Sequence, residues 1–167
     1  SRRCWKSRRA ASRRVRAEIG HTGTLPVRTQ ARFRTTLFSP LSDDADQTEL
    51  GREWAEWLCA ALPVGMQADS MDEDWGYRIL FGNPLLNARV SICCGYVGDD
   101  QWSCLCEPYR SFTDKLFKRP LPVAEMRTVV LAIDALLSDN PHFTDVEWFA
   151  VDAHLQEIDH APRAFAS

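Results

Sequence analysis

Apolar and polar residues alternate along residues 31–37, with Ala31, Phe33, Thr35 and Leu37 on one side and Arg32, Arg34 and Thr36 on the other. A period of two predicts a strand with one buried face, ended by Pro40. After a polar loop at Ser42, Asp43, Asp44 and Asp46 the period lengthens. Leu50, Trp54, Trp57, Leu58, Ala61 and Leu62 fall on one stripe of a helix that Pro63 stops, with Glu53 and Glu56 off the stripe. Asp69, Asp72, Glu73 and Asp74 read as an acidic loop. Trp75, Tyr77, Ile79 and Phe81 then form the inward side of a second strand, closed by turn chemistry at Gly82-Asn83-Pro84.

The sharpest pattern is a hairpin. Val90, Ile92, Cys94 and Tyr96 share one strand face, and Trp102, Cys104 and Cys106 share a face of the returning strand. Gly98-Asp99-Asp100 serves as a three-residue loop. Pairing Val97 with Gln101 sets Tyr96 opposite Trp102, Cys94 opposite Cys104 and Ile92 opposite Cys106. A shift of one residue would turn these groups to the other face, so the apolar pattern selects the register. A loop with a basic centre follows (Arg110, Lys115, Lys118, Arg119), with Phe112, Leu116 and Phe117 expected to tether it to the body. A second helix is expected over residues 122–138 with the stripe Val123, Met126, Val130, Ile133 and Leu137. A last strand over 145–151 points Val146, Trp148 and Ala150 inward. The order is β-α-β-β-β-α-β, which predicts an α+β two-layer sandwich: a mainly antiparallel sheet of about five strands with two helices on one face.

Length changes the picture little: 167 residues suit one domain, and a chain of this size can bury a sufficient core without metals or disulfides. Charge changes it more. The net charge of −3 divides unevenly: residues 1–30 carry nine basic residues and one acid, a local +8, which leaves −11 for the rest. Residues 1–28 lack apolar periodicity, so they are expected to be a disordered basic arm or an extension upstream of the natural start. Residues 29–152 are expected to be a single domain. Residues 153–167 are expected to be a C-terminal tail that frays, with Leu155 able to dock. No apolar run is long enough for a membrane span, and the N-terminus lacks the apolar core of a secretory signal. Its Arg- and Ser-rich, acid-poor composition is shared with transit peptides.

Six cysteines are too few for a disulfide scaffold, and five of them fall in apolar strand or helix patterns, so a reducing cytoplasm is the expected compartment. Cys94, Cys104 and Cys106 share a face, while Cys93 faces away. Structural zinc needs four ligands, commonly at C-x₂₋₄-C spacing. A fourth would have to be Cys59 or a distant histidine, so core packing is preferred to zinc or to a redox pair Cys94/Cys104, and no metal or cofactor is expected. His21, His142, His154 and His160 make no ligand pattern. Neither a phosphate loop nor a nucleophile elbow occurs. Trp54, Trp57, Trp75, Trp102 and Trp148 fall on inward stripes and are expected in the core.

The stretch Glu73-Asp74-Trp75-Gly76-Tyr77, with Cys94-Gly95, Trp102-x-Cys104 and Thr144-Asp145-Val146-Glu147-Trp148, resembles small, largely uncharacterised bacterial proteins. These are similar to the compact α+β immunity proteins of polymorphic-toxin systems. The resemblance spans residues 31–152 and carries over no functional residues. It implies a non-enzymatic, cytoplasmic domain that binds a protein, such as a basic toxin. An acidic body would steer such a partner electrostatically. The candidate partner-binding residues are Asp69, Asp72, Glu73, Asp74, Asp99 and Asp100. Two alternatives stand beside this: nucleic-acid binding through the basic arm, and a small-molecule or cysteine-dependent enzyme using the Trp/Cys sheet face.

Overall fold

The computed structural model describes residues 28–39, 51–63, 68–73, 76–81, 88–110, 114, 116, 117, 119–151 and 157–165. The strands are β1 (Gln30–Arg34), β2 (Ala68–Glu73), β3 (Gly76–Phe81), β4 (Val90–Gly98), β5 (Gln101–Pro108), β6 (Thr144–Val151) and β7 (Glu157–Ala161). The helices are α1 (Arg52–Ala61) and α2 (Val123–Asp139). All strand pairs are antiparallel, in the order β2-β3-β4-β5-β1-β6-β7. Buried residues of both helices join the inward faces of the strands in one core, so both helices cover one face of the sheet. The α+β class holds; among the described residues the sheet has seven strands rather than about five.

The hairpin pairs Ile92 with Cys106, Cys94 with Cys104 and Tyr96 with Trp102, as the apolar pattern requires. Its tip differs. Gly98, not Val97, faces Gln101, and Val97 is the extra residue of a bulge. The connection is therefore a two-residue turn, with Asp99 at φ 49° and Asp100 at φ 58°. Positive φ at both central positions is the geometry whose twist matches that of the flanking strands.

β1 packs Ala31 against Cys104 and Phe33 against Trp102. It stops at Arg34, short of the expected Leu37. The Thr35 backbone N–H bonds the Asp100 carbonyl at 3.1 Å, and the Thr35 hydroxyl accepts the Leu37 N–H at 3.2 Å. That local turn throws Leu37 outward and returns Phe38 to the core. Phe38 joins Phe33, Trp54, Trp57, Trp102 and Phe143 in an aromatic cluster, with Phe33–Trp54 centroids 4.9 Å apart and Phe38–Trp102 5.6 Å apart. Among the described residues, the buried Trp54, Trp102 and Trp148 indole nitrogens find no hydrogen-bond partner.

Gly51 opens α1 at φ 99°, and a Cβ there would meet the Cys94 carbonyl oxygen at 3.5 Å. That distance is an ordinary contact, so it is the left-handed backbone, not lack of space, that calls for glycine here. Along α1, Trp54, Ala55 and Leu58 are buried and Trp57 lies against the core edge. Along α2 the buried face begins at Met126 and continues through Val129, Val130, Ile133, Asp134 and Leu137. Val123, expected on that stripe, is half exposed.

Three further expectations are corrected. Residues 68–73 are an edge strand, not a loop: β2 pairs along its whole length with β3. The chain beyond Asp152 is not simply a tail, because β7 pairs with β6 and Ala164 is fully buried. Arg28 is part of the folded body rather than of a basic arm. Its guanidinium pairs with Asp159 and donates to the Arg163 carbonyl. Residues 1–27, Leu155 and Phe112 lie outside the described residues.

Candidate functional site

Antiparallel pairing sorts residue types between the two ends of the sheet. At the end carrying the β4–β5 turn, β2 finishes with Glu73, β1 finishes with Arg34, β6 begins with Thr144 and Asp145, and β7 finishes with Ala161. Among the described residues, the non-glycine residues with positive φ are Asp99, Asp100 and Asp145, at 49°, 58° and 51°. All are aspartates at this end. Arg34 ties them together: its guanidinium donates to the Asp99 carbonyl at 2.6 Å and pairs with the Asp145 carboxylate at 3.4 Å. The Asp100 N–H reaches the Tyr96 hydroxyl at 3.4 Å. The turn is thus fastened to the end of β1 while Asp99, Asp100 and Asp145 stay exposed. Beside it lies a shallow cavity of about 540 Å³ lined by Arg34, Gln101, Asp145, Glu147 and His160 among others.

The expected partner-binding residues separate into two groups. Asp99 and Asp100 sit together at the turn. Asp72 pairs with Tyr77 and Glu73 with Gly76, on β2, two strands from β4. Asp69 pairs with Leu80, four residues below Glu73, which is about 13 Å along the strand. Asp74 lies outside the described residues. Glu73 is engaged by Arg78 at 2.8 Å on the open face of the sheet. Asp145 and Arg34 belong to the acidic end but were not among the residues singled out from sequence. The β1 alternation did place Arg34 outward. Asp145 gave no signal, because its left-handed backbone arises from a register shift between β1 and β6.

The open face is laced with ion pairs. Arg78 approaches Glu107 at 3.6 Å, Arg32 pairs with Glu157, and the Arg32 guanidinium lies 4.6 Å over the Phe149 ring. Cys93 is on this face and donates its S–H to Glu107 at 3.2 Å, opposite in direction to Cys94. Cys94, Cys104 and Cys106 lie in the core beneath the helices. Burial pushes the Cys94 and Cys106 thiols well up, and it pushes Cys104 up to about 12, against a weaker backbone hydrogen bond from Ala31. Such thiols stay protonated at neutral pH and are poor nucleophiles or ligands.

No cluster of His, Cys, Asp and Glu among the described residues has metal-binding geometry. His142 is exposed, and the exposed His160 stacks on Phe149. His21, His154 and Trp75 lie outside the described residues. No helix among the described residues is long and apolar enough to cross a membrane. Comparison with protein-family models, with curated proteins and with solved structures finds no match to this chain.

Proposed function

We propose that this domain is a non-enzymatic binding module of the immunity type, whose acidic sheet end engages a basic protein such as a toxin. The observation that carries the reading is the trio Asp99, Asp100 and Asp145. Each occupies a backbone region where glycine or asparagine is more comfortable, and each leaves its carboxylate exposed. Left-handed backbone at three neighbouring aspartates turns their carboxylates outward at one end of the sheet. The excess of acids outside the N-terminal segment adds a long-range field that would speed encounter with a cation-rich surface. Of the residues named from sequence, Asp99 and Asp100 carry the proposal furthest. Glu73 contributes at the flank, and Asp69 lies too far along β2 to share a small contact.

The test is co-expression with the product of the adjoining reading frame, followed by gel filtration and titration. A one-to-one complex is expected, with Asp99→Asn/Asp100→Asn weakening it at least about tenfold and raised salt weakening it further. Stoichiometric binding that ignores both changes would move the interface elsewhere.

A further inference from the structure

The three arginines at and along β1 are each matched by an acid. Arg28 pairs with Asp159 at 2.5 Å, Arg32 with Glu157, and Arg34 with Asp145 at 3.4 Å. One acid on the open face is left over. Glu147 stands opposite Arg32 in the register of β1 with β6, yet the Arg32 guanidinium turns to Glu157 and lies over the Phe149 ring. Among the described residues, the exposed Glu147 carboxylate has neither a hydrogen bond nor an ion pair.

Glu147 lines the cavity of about 540 Å³ beside the β4–β5 turn. Register builds the floor of that cavity. Gln101 of β5 stands opposite Arg34 of β1, Arg34 stands opposite Thr144 of β6, and His160 of β7 stands opposite Phe149 of β6. The Arg34 charge is already met by Asp145 and by the Asp99 carbonyl, so the charge left open in the cavity is that of Glu147. His160 is exposed, and its ring stacks on Phe149 with the two planes 28° apart, which lays a flat ring against the sheet. Gln101 adds a side-chain amide, and Ala161 and Pro162 add an apolar wall.

We propose that this cavity is the socket for one arginine side chain of the basic partner, an inference that rests on the binding reading above and names the contact within it. A guanidinium is a planar fork. It meets a carboxylate through two parallel hydrogen bonds and stacks on flat rings, so Glu147 and His160 together suit it. The Gln101 amide oxygen accepts a further N–H, and Ala161 and Pro162 cover the methylene stem. An ammonium is a point charge that uses Glu147 but neither the fork nor the plane. The cavity is too shallow to enclose a free small molecule, whereas a side chain arriving on a partner's surface brings its own cover. Arginine seated in an interface pocket is a frequent anchor of binding energy. Asp99 and Asp100, exposed beside the cavity, supply the field that draws the partner in.

The probe is arginine with its amine acetylated and its carboxyl amidated, which leaves the guanidinium as its charge; lysine blocked in the same way is the comparison. Titrated into the full chain and followed by amide NMR, blocked arginine should shift Gln101, Glu147 and His160, and blocked lysine should bind at least about threefold more weakly. Glu147→Gln should weaken blocked arginine at least about tenfold with an unchanged melting midpoint, since the lost carboxylate holds nothing in the fold. Asp99→Asn/Asp100→Asn should weaken it less than Glu147→Gln does. Absence of shifts at the three residues would overturn the inference. So would equal binding of blocked lysine, or equal binding by the Glu147→Gln chain. In the complex with the product of the adjoining reading frame, Glu147→Gln should also lower affinity at least about tenfold. Weakening of that complex by Asp99→Asn/Asp100→Asn with none by Glu147→Gln would overturn the socket and leave the binding reading standing. Blocked arginine seated in the cavity with no complex formed would keep the socket and overturn the reading on which its partner rests.

Discussion

The central hairpin and the two edge strands of this sheet are held by different means. β4 and β5 put large apolar side chains opposite one another, and Trp102, Ile92 and Cys94 are wholly or almost wholly removed from water. β7 has exposed Glu157, Ile158 and His160, and is fastened by backbone pairing to β6 and by Arg28–Asp159 and Arg32–Glu157. β2 carries Asp69, Asp72 and Glu73 along its paired length. Charged side chains on edge strands also discourage another chain from adding to the sheet. The centre thus derives its stability from apolar burial, and the edges from backbone pairing and charge.

The largest effect that would break this contrast is at Trp102. Trp102→Ala should cost about 3–5 kcal/mol, the range for deleting a buried aromatic. Ile158→Ala on β7 should cost under about 0.5 kcal/mol. Denaturant melts of both variants measure the difference, and similar costs would show that the edge belongs to the same core. Within the centre, Trp54→Phe should be far milder than Trp54→Ala, because it keeps an aromatic ring and removes a buried indole N–H that has no partner among the described residues.

Next comes the fastening of the C-terminal edge. Asp134 on α2 is buried, accepts the Arg163 Nε at 2.9 Å and accepts the Ala164 N–H at 3.1 Å. Asp134→Ala leaves a buried N–H unsatisfied and should cost about 1–3 kcal/mol. Hydrogen exchange sharpens the comparison: β7 amides should lose protection in this variant while β4 and β5 keep theirs. Uniform loss of protection would mean that the edge and the centre open as one unit.

The same contrast explains what the sequence made legible. Alternation marks a strand when one face is apolar and the other polar, which is true of β1, β3, β4, β5 and β6. The hairpin register followed because Tyr96, Cys94 and Ile92 have apolar partners two residues apart on the returning strand. β2 and β7 lack an apolar face, and their pairing rests on backbone groups that every sequence shares, so their residues read as an acidic loop and a tail. The candidate site divides in the same way. Asp99 and Asp100 stood out as turn residues, whereas Asp145 joined them only through tertiary pairing of β1 with β6. Leu116 and Phe117, expected to tether their loop, are exposed, because apolarity alone does not say which way a loop faces.

Alkaline pH should strain the centre before the edges. An unfolded thiol titrates near 9.0, and burial pushes Cys104 up to about 12. Above pH 9 the unfolded chain sheds a proton that the folded chain keeps, so the unfolded state gains and stability falls as pH rises toward 12. The slope approaches about 1.4 kcal/mol per pH unit for each such thiol. Cys104→Ala should cost about 1 kcal/mol at neutral pH by lost packing. Melts above pH 9 should show that deficit closing, because only the wild type keeps this ionisable group. A constant gap would mean that the Cys104 thiol is not held protonated by the fold.

The smallest effect expected is a gain, at the one part of the hairpin that is not apolar. Asp99 and Asp100 hold a turn that asparagine and glycine fill with less strain, and Asp145 adds a third negative charge nearby. Asp99→Asn/Asp100→Gly should therefore stabilise the domain by about 0.5–1 kcal/mol, less whatever entropy the added glycine gives the unfolded chain. Asp99→Asn/Asp100→Asn removes the same charges with a smaller backbone gain, so the two variants separate turn geometry from electrostatics. If the acidic end binds a basic partner, both should lose affinity together while differing in stability. If the aspartates serve only the turn, stability should rise and binding by any partner should stay as it was. Loss of binding together with a gain in stability would show that this carboxylate pair exchanges stability for association, at the tip of a hairpin whose core face is buried.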